Sequence, residues 1–139
     1  MLEIELKYFT PIEANKTLPL VKKIVKDILD YSLELKTVSD ALNGEVEDSS
    51  VVQNLVSDIK GFIRELEDIG CHYKHFNYSA GLVDFPAIIN DRDVFLCWKS
   101  DEDSITHYHG IEEGFRGRKE IPGIYFLLEE EDYEQPLNL

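Results

Sequence analysis

His107 and His109 stand two residues apart, the spacing with the clearest chemical potential in this chain. On a strand, positions i and i+2 share a face, so both imidazoles can grip one ion. Cys97 on the preceding strand is the natural third ligand, and loop parity decides whether it is available. If Lys99 pairs with Ser104, Cys97 falls opposite Thr106 and both histidines face the other way. If Cys97 pairs with His107, all three gather on one face. Three N and S ligands with an open fourth position suit zinc. The plainer alternative makes Cys97 a small buried hydrophobe and leaves the histidines hydrogen-bonded to their neighbours. No metal-type loop is present, so the expectation is no cofactor, with zinc at Cys97, His107 and His109 as the alternative.

Gly114-Phe115-Arg116-Gly117-Arg118 is a second candidate. Glycines permit a tight turn with inward N–H groups, and two arginines add forked donors, a combination suited to phosphate or carboxylate. A small anionic ligand there would meet His109, Arg116, Arg118 and Lys74. The competing expectation is pairing within the chain, with Glu112, Glu113, Asp84 or the acidic end. Asp84 is third: it interrupts the apolar run 81–86, where a carboxylate is expensive to bury without a partner. It either holds Arg118 or caps a turn, or it acts as a general base or orients His109. Cys71-His72-Tyr73-Lys74-His75 reads as a strand with a polar face, because alternation separates its cysteine from His72. Trp98 and Leu96 flank Cys97 and favour an inert thiol over a nucleophile. Neither a Gly-rich nucleotide loop nor a nucleophile elbow is present.

The chain that must position these groups has 139 residues, with 28 acidic and 14 basic ones, for a net charge of −14. That length suits one domain, residues 1–139, with a core that needs no disulfide framework from its two cysteines. The acidity disfavours nucleic acid and anionic membranes, and no apolar run approaches a membrane span. The first residues lack the basic and apolar regions of a signal peptide, so the expected location is cytoplasmic. The charge is uneven. Residues 1–44 are nearly balanced at −1, while 45–70 and 111–139 hold −5 each.

Leu2, Ile4, Leu6 and Tyr8 alternate with polar residues, which predicts a strand over 1–9. Thr10-Pro11-Ile12-Glu13 has the form of a capping box with proline at the first helical position. The helix it opens should run to about Leu42, through Pro19. Its apolar line is Ala14, Leu18, Val21, Ile24 or Val25, Ile28, Tyr31, Leu35, Val38 and Leu42. Asp48-Ser49-Ser50 caps a second helix whose Val52, Leu55, Ile59, Phe62, Leu66 and Ile69 follow a heptad seam up to Gly70. The short connection makes 10–70 a long antiparallel, coiled-coil-like helical hairpin. Its apolar stripe is wider than two helices need, so either the β part or a second copy covers it. After Gly70 the period changes to two. Strands are predicted over 71–76, 82–88, 93–99 and 104–109, with a further β-type run at 124–128. The close spacing implies an antiparallel sheet over 71–128, followed by an acidic tail over 129–139.

Tyr8-Phe9-Thr10, Glu13-Ala14-Asn15, Leu18-Pro19, Gly81-Leu82-Val83-Asp84-Phe85-Pro86-Ala87, Leu96-Cys97-Trp98, and His109 with Gly114-Phe115 and Arg118 together form a pattern. It resembles the small prokaryotic proteins of domain of unknown function 2203, over roughly residues 7–121. The resemblance implies a long helical hairpin followed by a small β region, and it implies no activity. The expected fold is therefore α+β. The expected function is a non-enzymatic scaffold or interaction protein, a homodimer through the hairpin, with a small polar pocket at Asp84, His107, His109 and Arg118. The alternative is an enzyme or sensor that binds a metal or small anion through Cys97, His107, His109, Arg116 and Arg118.

Overall fold

The computed structural model describes residues 7–127. Two helices and a five-stranded antiparallel sheet make it α+β. Helix α1 spans Pro11–Ala41 and α2 spans Ser50–Ile69. Strands β1 (His72–His75), β2 (Gly81–Ile89), β3 (Arg92–Lys99), β4 (His107–Gly110) and β5 (Lys119–Glu120) lie side by side in chain order. Short 3-10 turns lie between β4 and β5 at Phe115–Gly117 and after β5 at Gly123–Phe126.

Local chemistry sets the helix ends. The Thr10 hydroxyl accepts the Glu13 N–H at 3.1 Å, and the Glu13 carboxylate accepts the Thr10 N–H at 2.9 Å. The exposed Pro19 does not divide α1. The Ser49 hydroxyl caps α2 by accepting from the Val52 N–H at 3.2 Å. Gly70 ends it at φ +111°, and a Cβ there would lie 3.2 Å from the Lys7 side chain. Backbone conformation and close approach both call for glycine at that position.

The core lies between the helices and one sheet face. Ala14, Leu18, Val21, Val25 and Ile28 of α1 and Leu66 of α2 pack with Val83, Phe85, Ala87, Ile89, Val94, Leu96 and Trp98. Beyond Ile28 no residue of α1 is buried, although the apolar line continues through Tyr31, Leu35, Val38 and Leu42. The two helices touch in that region, where the Tyr31 and Phe62 rings meet edge to face at 5.0 Å. At the other end Phe9 packs edge-on against Phe85 at 5.2 Å. Its N–H donates to the Pro86 carbonyl at 2.8 Å. β1 pairs with β2 only as far as Asp84. Pro86 therefore lies where its missing N–H breaks no ladder bond.

β2 is buried from Gly81 to Ala87 without alternation, so both sheet faces are covered. The helices cover one. The chain after β4 closes over the other, with Phe115 set against Phe76 at 5.4 Å and the Arg118 guanidinium 4.2 Å from the Phe115 ring centre.

Three expected strands are corrected. Residues 7–9 form no strand, and Phe9 rather than Tyr8 is the buried side chain. The rest of that expected strand, residues 1–6, lies outside the described residues, as do 128 and the expected tail 129–139. β4 begins at His107 rather than at 104, because the Asn15 side chain takes both the N–H and the C=O of Ile105, at 2.9 and 3.1 Å. With both groups engaged, Ile105 cannot extend the ladder. Residues 123–126 form a 3-10 turn instead of a strand, since Pro122 has no N–H to continue the pairing of β5.

Candidate functional site

Cys97 pairs with His107, so the loop between β3 and β4 takes the odd-parity register. Asp84 pairs with Cys97 on the other flank, and Phe95 with His109. Asp84, Cys97 and His109 consequently project from the same face of β2, β3 and β4, away from the helices. One carboxylate oxygen, the thiol sulfur and one ring nitrogen lie within 4.8 Å of one another. The residues are 2%, 0% and 1% exposed, respectively. Solvent does not reach them.

Every polar atom here has a defined environment. His109 Nδ1 lies 2.8 Å from the Gly110 carbonyl, and Nε2 lies 3.1 Å from Asp84 Oδ1. A carbonyl only accepts, so Nδ1 carries a hydrogen. Asp84 Oδ2 is buried and receives no hydrogen bond. The Lys74 ammonium stands 3.0 Å from it but off the hydrogen-bonding direction, so the oxygen has a charge partner without a donor. Burial pushes the Cys97 thiol up to about 12, and the Asp84 charge pushes the same way against Arg118. Such a thiol is protonated and unreactive at neutral pH. Cys71, held under α2, is likewise raised to about 12 by burial.

His107 shares the face but stays outside this group. It is half-buried, with Nδ1 2.8 Å from the Thr106 hydroxyl. The three donors brought together are thus Asp84, Cys97 and His109, in place of the expected Cys97, His107 and His109.

The arginines also part company. Arg118 is held by Glu102 through two parallel bonds, from Nη1 at 2.9 Å and Nη2 at 3.0 Å. Its Nη1 also reaches the Cys97 carbonyl at 3.5 Å. Burial pulls the Arg118 guanidinium down, yet the Glu102 bonds and charge outweigh this and hold it above the ordinary arginine value. Burial also pushes Glu102 up, but the Arg118 bonds, the Lys99 N–H and the Arg118 charge leave its carboxyl below the usual range. Arg116 is exposed on the 3-10 turn just before Arg118. Asp84 does not reach Arg118; its partners are His109 and Lys74.

The expected anion cradle holds an internal carboxylate. Glu113 accepts the Gly110 N–H at 2.8 Å and returns its own N–H to the Gly110 carbonyl at 3.0 Å. Its carboxylate lies where a Cβ on Gly110 or Gly117 would sit, 2.8 and 2.9 Å away. The glycines at these two positions make room for this side chain.

Glu102 and Asn15 organise the site's surroundings, and no spacing in the sequence pointed to either. Glu102 sits in a turn, where it also accepts the Lys99 N–H at 2.7 Å and, through its backbone carbonyl, the Trp98 indole N–H at 2.8 Å.

A family model described as "Uncharacterized conserved protein (DUF2203)" matches residues 7–121. No curated protein and no solved structure matches the chain.

Proposed function

We propose that this chain, which belongs to the DUF2203 family, is a non-enzymatic interaction protein that pairs with a second copy of itself through its two helices. The burial of the polar centre is the observation that carries this reading. Asp84, Cys97 and His109 are at most 2% exposed, so a substrate would have no path to them in this conformation. The helices present the opposite situation. About 20 Å of α1, residues 29–41 at 1.5 Å each, runs beyond the part buried against the sheet.

On that stretch the apolar line continues with α2 and the turn carrying Tyr78 beside it. The two helices, read as an antiparallel, coiled-coil-like hairpin, supply half of a four-helix arrangement. A groove of about 620 Å³ runs there, lined by Leu35, Val46, Val52, Val56 and Tyr78 among others. Leu33 and Val51 are each 52% exposed nearby. A second copy is the occupant that matches this surface in kind, because it carries the same unburied apolar line of Tyr31, Leu35 and Val38. A twofold arrangement sets the two identical lines against one another.

Sedimentation of Leu35→Glu and Val56→Glu variants tests this assignment. Each charge placed in the groove should raise the dimer dissociation constant at least about tenfold, since burying one such side chain contributes about 1.5–3 kcal/mol. Unchanged association in both variants would remove the helices from the interface.

A further inference from the structure

The geometry points to a divalent transition-metal site formed by Asp84, Cys97 and His109, with Zn²⁺ or Co²⁺ as the fitting ion. The first argument is a surplus of acceptors. His109 Nδ1 must hold its hydrogen for the Gly110 carbonyl. A neutral ring then turns the Nε2 lone pair toward Asp84 Oδ1, itself an acceptor, at 3.1 Å. Two facing lone pairs require a cation between or beside them, either a proton or a metal. Asp84 Oδ2, buried with no hydrogen-bond donor and only the Lys74 charge 3.0 Å away, adds a second acceptor beside the first.

The second argument is the donor set and its spacing. Thiolate and imidazole together select zinc-like ions over magnesium or calcium. Tetrahedral zinc with ordinary bond lengths places its N and O ligands about 3.4 Å apart and its N and S ligands about 3.6 Å apart. The Nε2–Oδ1 distance is 3.1 Å and all three donor atoms lie within 4.8 Å. Shifts of a few tenths of an ångström to about one ångström would complete the coordination. The Nδ1–H bond to Gly110 is the contact that usually fixes a metal-bound histidine in its ring orientation. Each ligand comes from a different adjacent strand, so the ion would tie β2, β3 and β4 together.

The charges balance without a redox step. On binding, the Cys97 S–H bond breaks and the proton between His109 Nε2 and Asp84 is displaced; both protons leave to solvent, and S–metal and N–metal bonds form. Counting Lys74, the centre then carries a net charge of about +1, the same as when His109 is doubly protonated and Cys97 is a thiol. The fourth position falls to the second Asp84 oxygen or to a water.

The test is cobalt titration of the full chain, tag removed and pretreated with chelator. One Co²⁺ per chain should bind, with tetrahedral ligand-field bands and a thiolate charge-transfer band, and added Zn²⁺ should abolish both. Cys97→Ser should remove the charge-transfer band, while Cys71→Ser keeps it. Asp84→Asn, which preserves shape and can still bond His109, should weaken binding at least about tenfold. His107→Ala should leave the affinity within about twofold. A chain that takes up no cobalt would show that a proton alone bridges Asp84 and His109, which overturns the assignment. So would a thiolate band that survives Cys97→Ser, or binding lost with His107.

Discussion

Replacing Asp84 by alanine would leave His109 Nε2 facing no partner in a site that solvent does not enter. His109 is 1% exposed and its Nδ1 is already committed to Gly110. A buried polar atom stripped of its partner costs about 1–3 kcal/mol. The space left by the carboxylate adds about 1 kcal/mol. The Lys74 pair adds about 0–1 kcal/mol, because that lysine side chain is 56% exposed and water screens it. Together these give a destabilisation of about 3 kcal/mol. Asp84→Asn provides the contrast. Its amide has the same shape and can turn its NH₂ toward a neutral Nε2, so its cost should stay near 1 kcal/mol or less. Urea unfolding in chelator at one fixed chain concentration measures both. Trp98, the single tryptophan and 1% exposed on the strand that carries Cys97, serves as the fluorescence reporter. An alanine variant within about 0.5 kcal/mol of the parent would refute the reasoning. An asparagine variant as unstable as alanine would refute it in another way: the charge of Asp84, rather than the bond it accepts from or offers to His109, would then be what holds the site.

The Glu102 carboxyl is held below its usual range, so its contribution to stability is present above the unfolded-state value near 4.3 and fades as the pH falls through the folded one. Glu102→Gln should therefore be less stable than the parent by about 1 kcal/mol at neutral pH, and urea midpoints of the two should converge as the pH drops below about 4. Gly117→Ala should lose about 1 kcal/mol in thermal melts, because the new methyl would lie 2.9 Å from Glu113 Oε2, whereas Gly114→Ala, with nothing within 4 Å, should be close to neutral. Both thiols, raised to about 12, should resist alkylation at pH 8 in the folded chain and react fully once urea unfolds it, as counted by mass spectrometry.

Features written within a few residues were legible. Thr10 and Glu13 exchange their bonds across one turn, Ser49 caps α2, and Gly70 takes the left-handed conformation that ends it. The antiparallel order of the strands followed from their close spacing. What failed was long-range. The start of β4 depends on Asn15, ninety positions away from Ile105, which occupies the backbone groups that alternation alone would have assigned to the sheet. The partner of Arg118 was sought among nearby and neighbouring acids, yet Glu102 holds it because the β3–β4 loop folds back beside β5.

The polar centre was half legible for the same reason. The i, i+2 spacing correctly put His107 and His109 on one face, and the odd register added Cys97. Strand parity says nothing of how far each side chain leans. Asp84, two strands from His109, meets it across β3, while His107 turns to Thr106. The signal that pointed to Asp84 was its position inside an otherwise apolar run. Burial of that run on both faces was hidden, because the cover comes from the turn around Phe115 rather than from β2 itself.

The molar mass of the full chain in solution bears most directly on the proposed pairing through the helices. Light scattering from micromolar to high micromolar concentration should rise to twice the 16.1 kDa of one chain, and Leu35→Glu should return it to the single-chain mass with the fold intact. A mass that stays at 16.1 kDa across that range would contradict the proposed function.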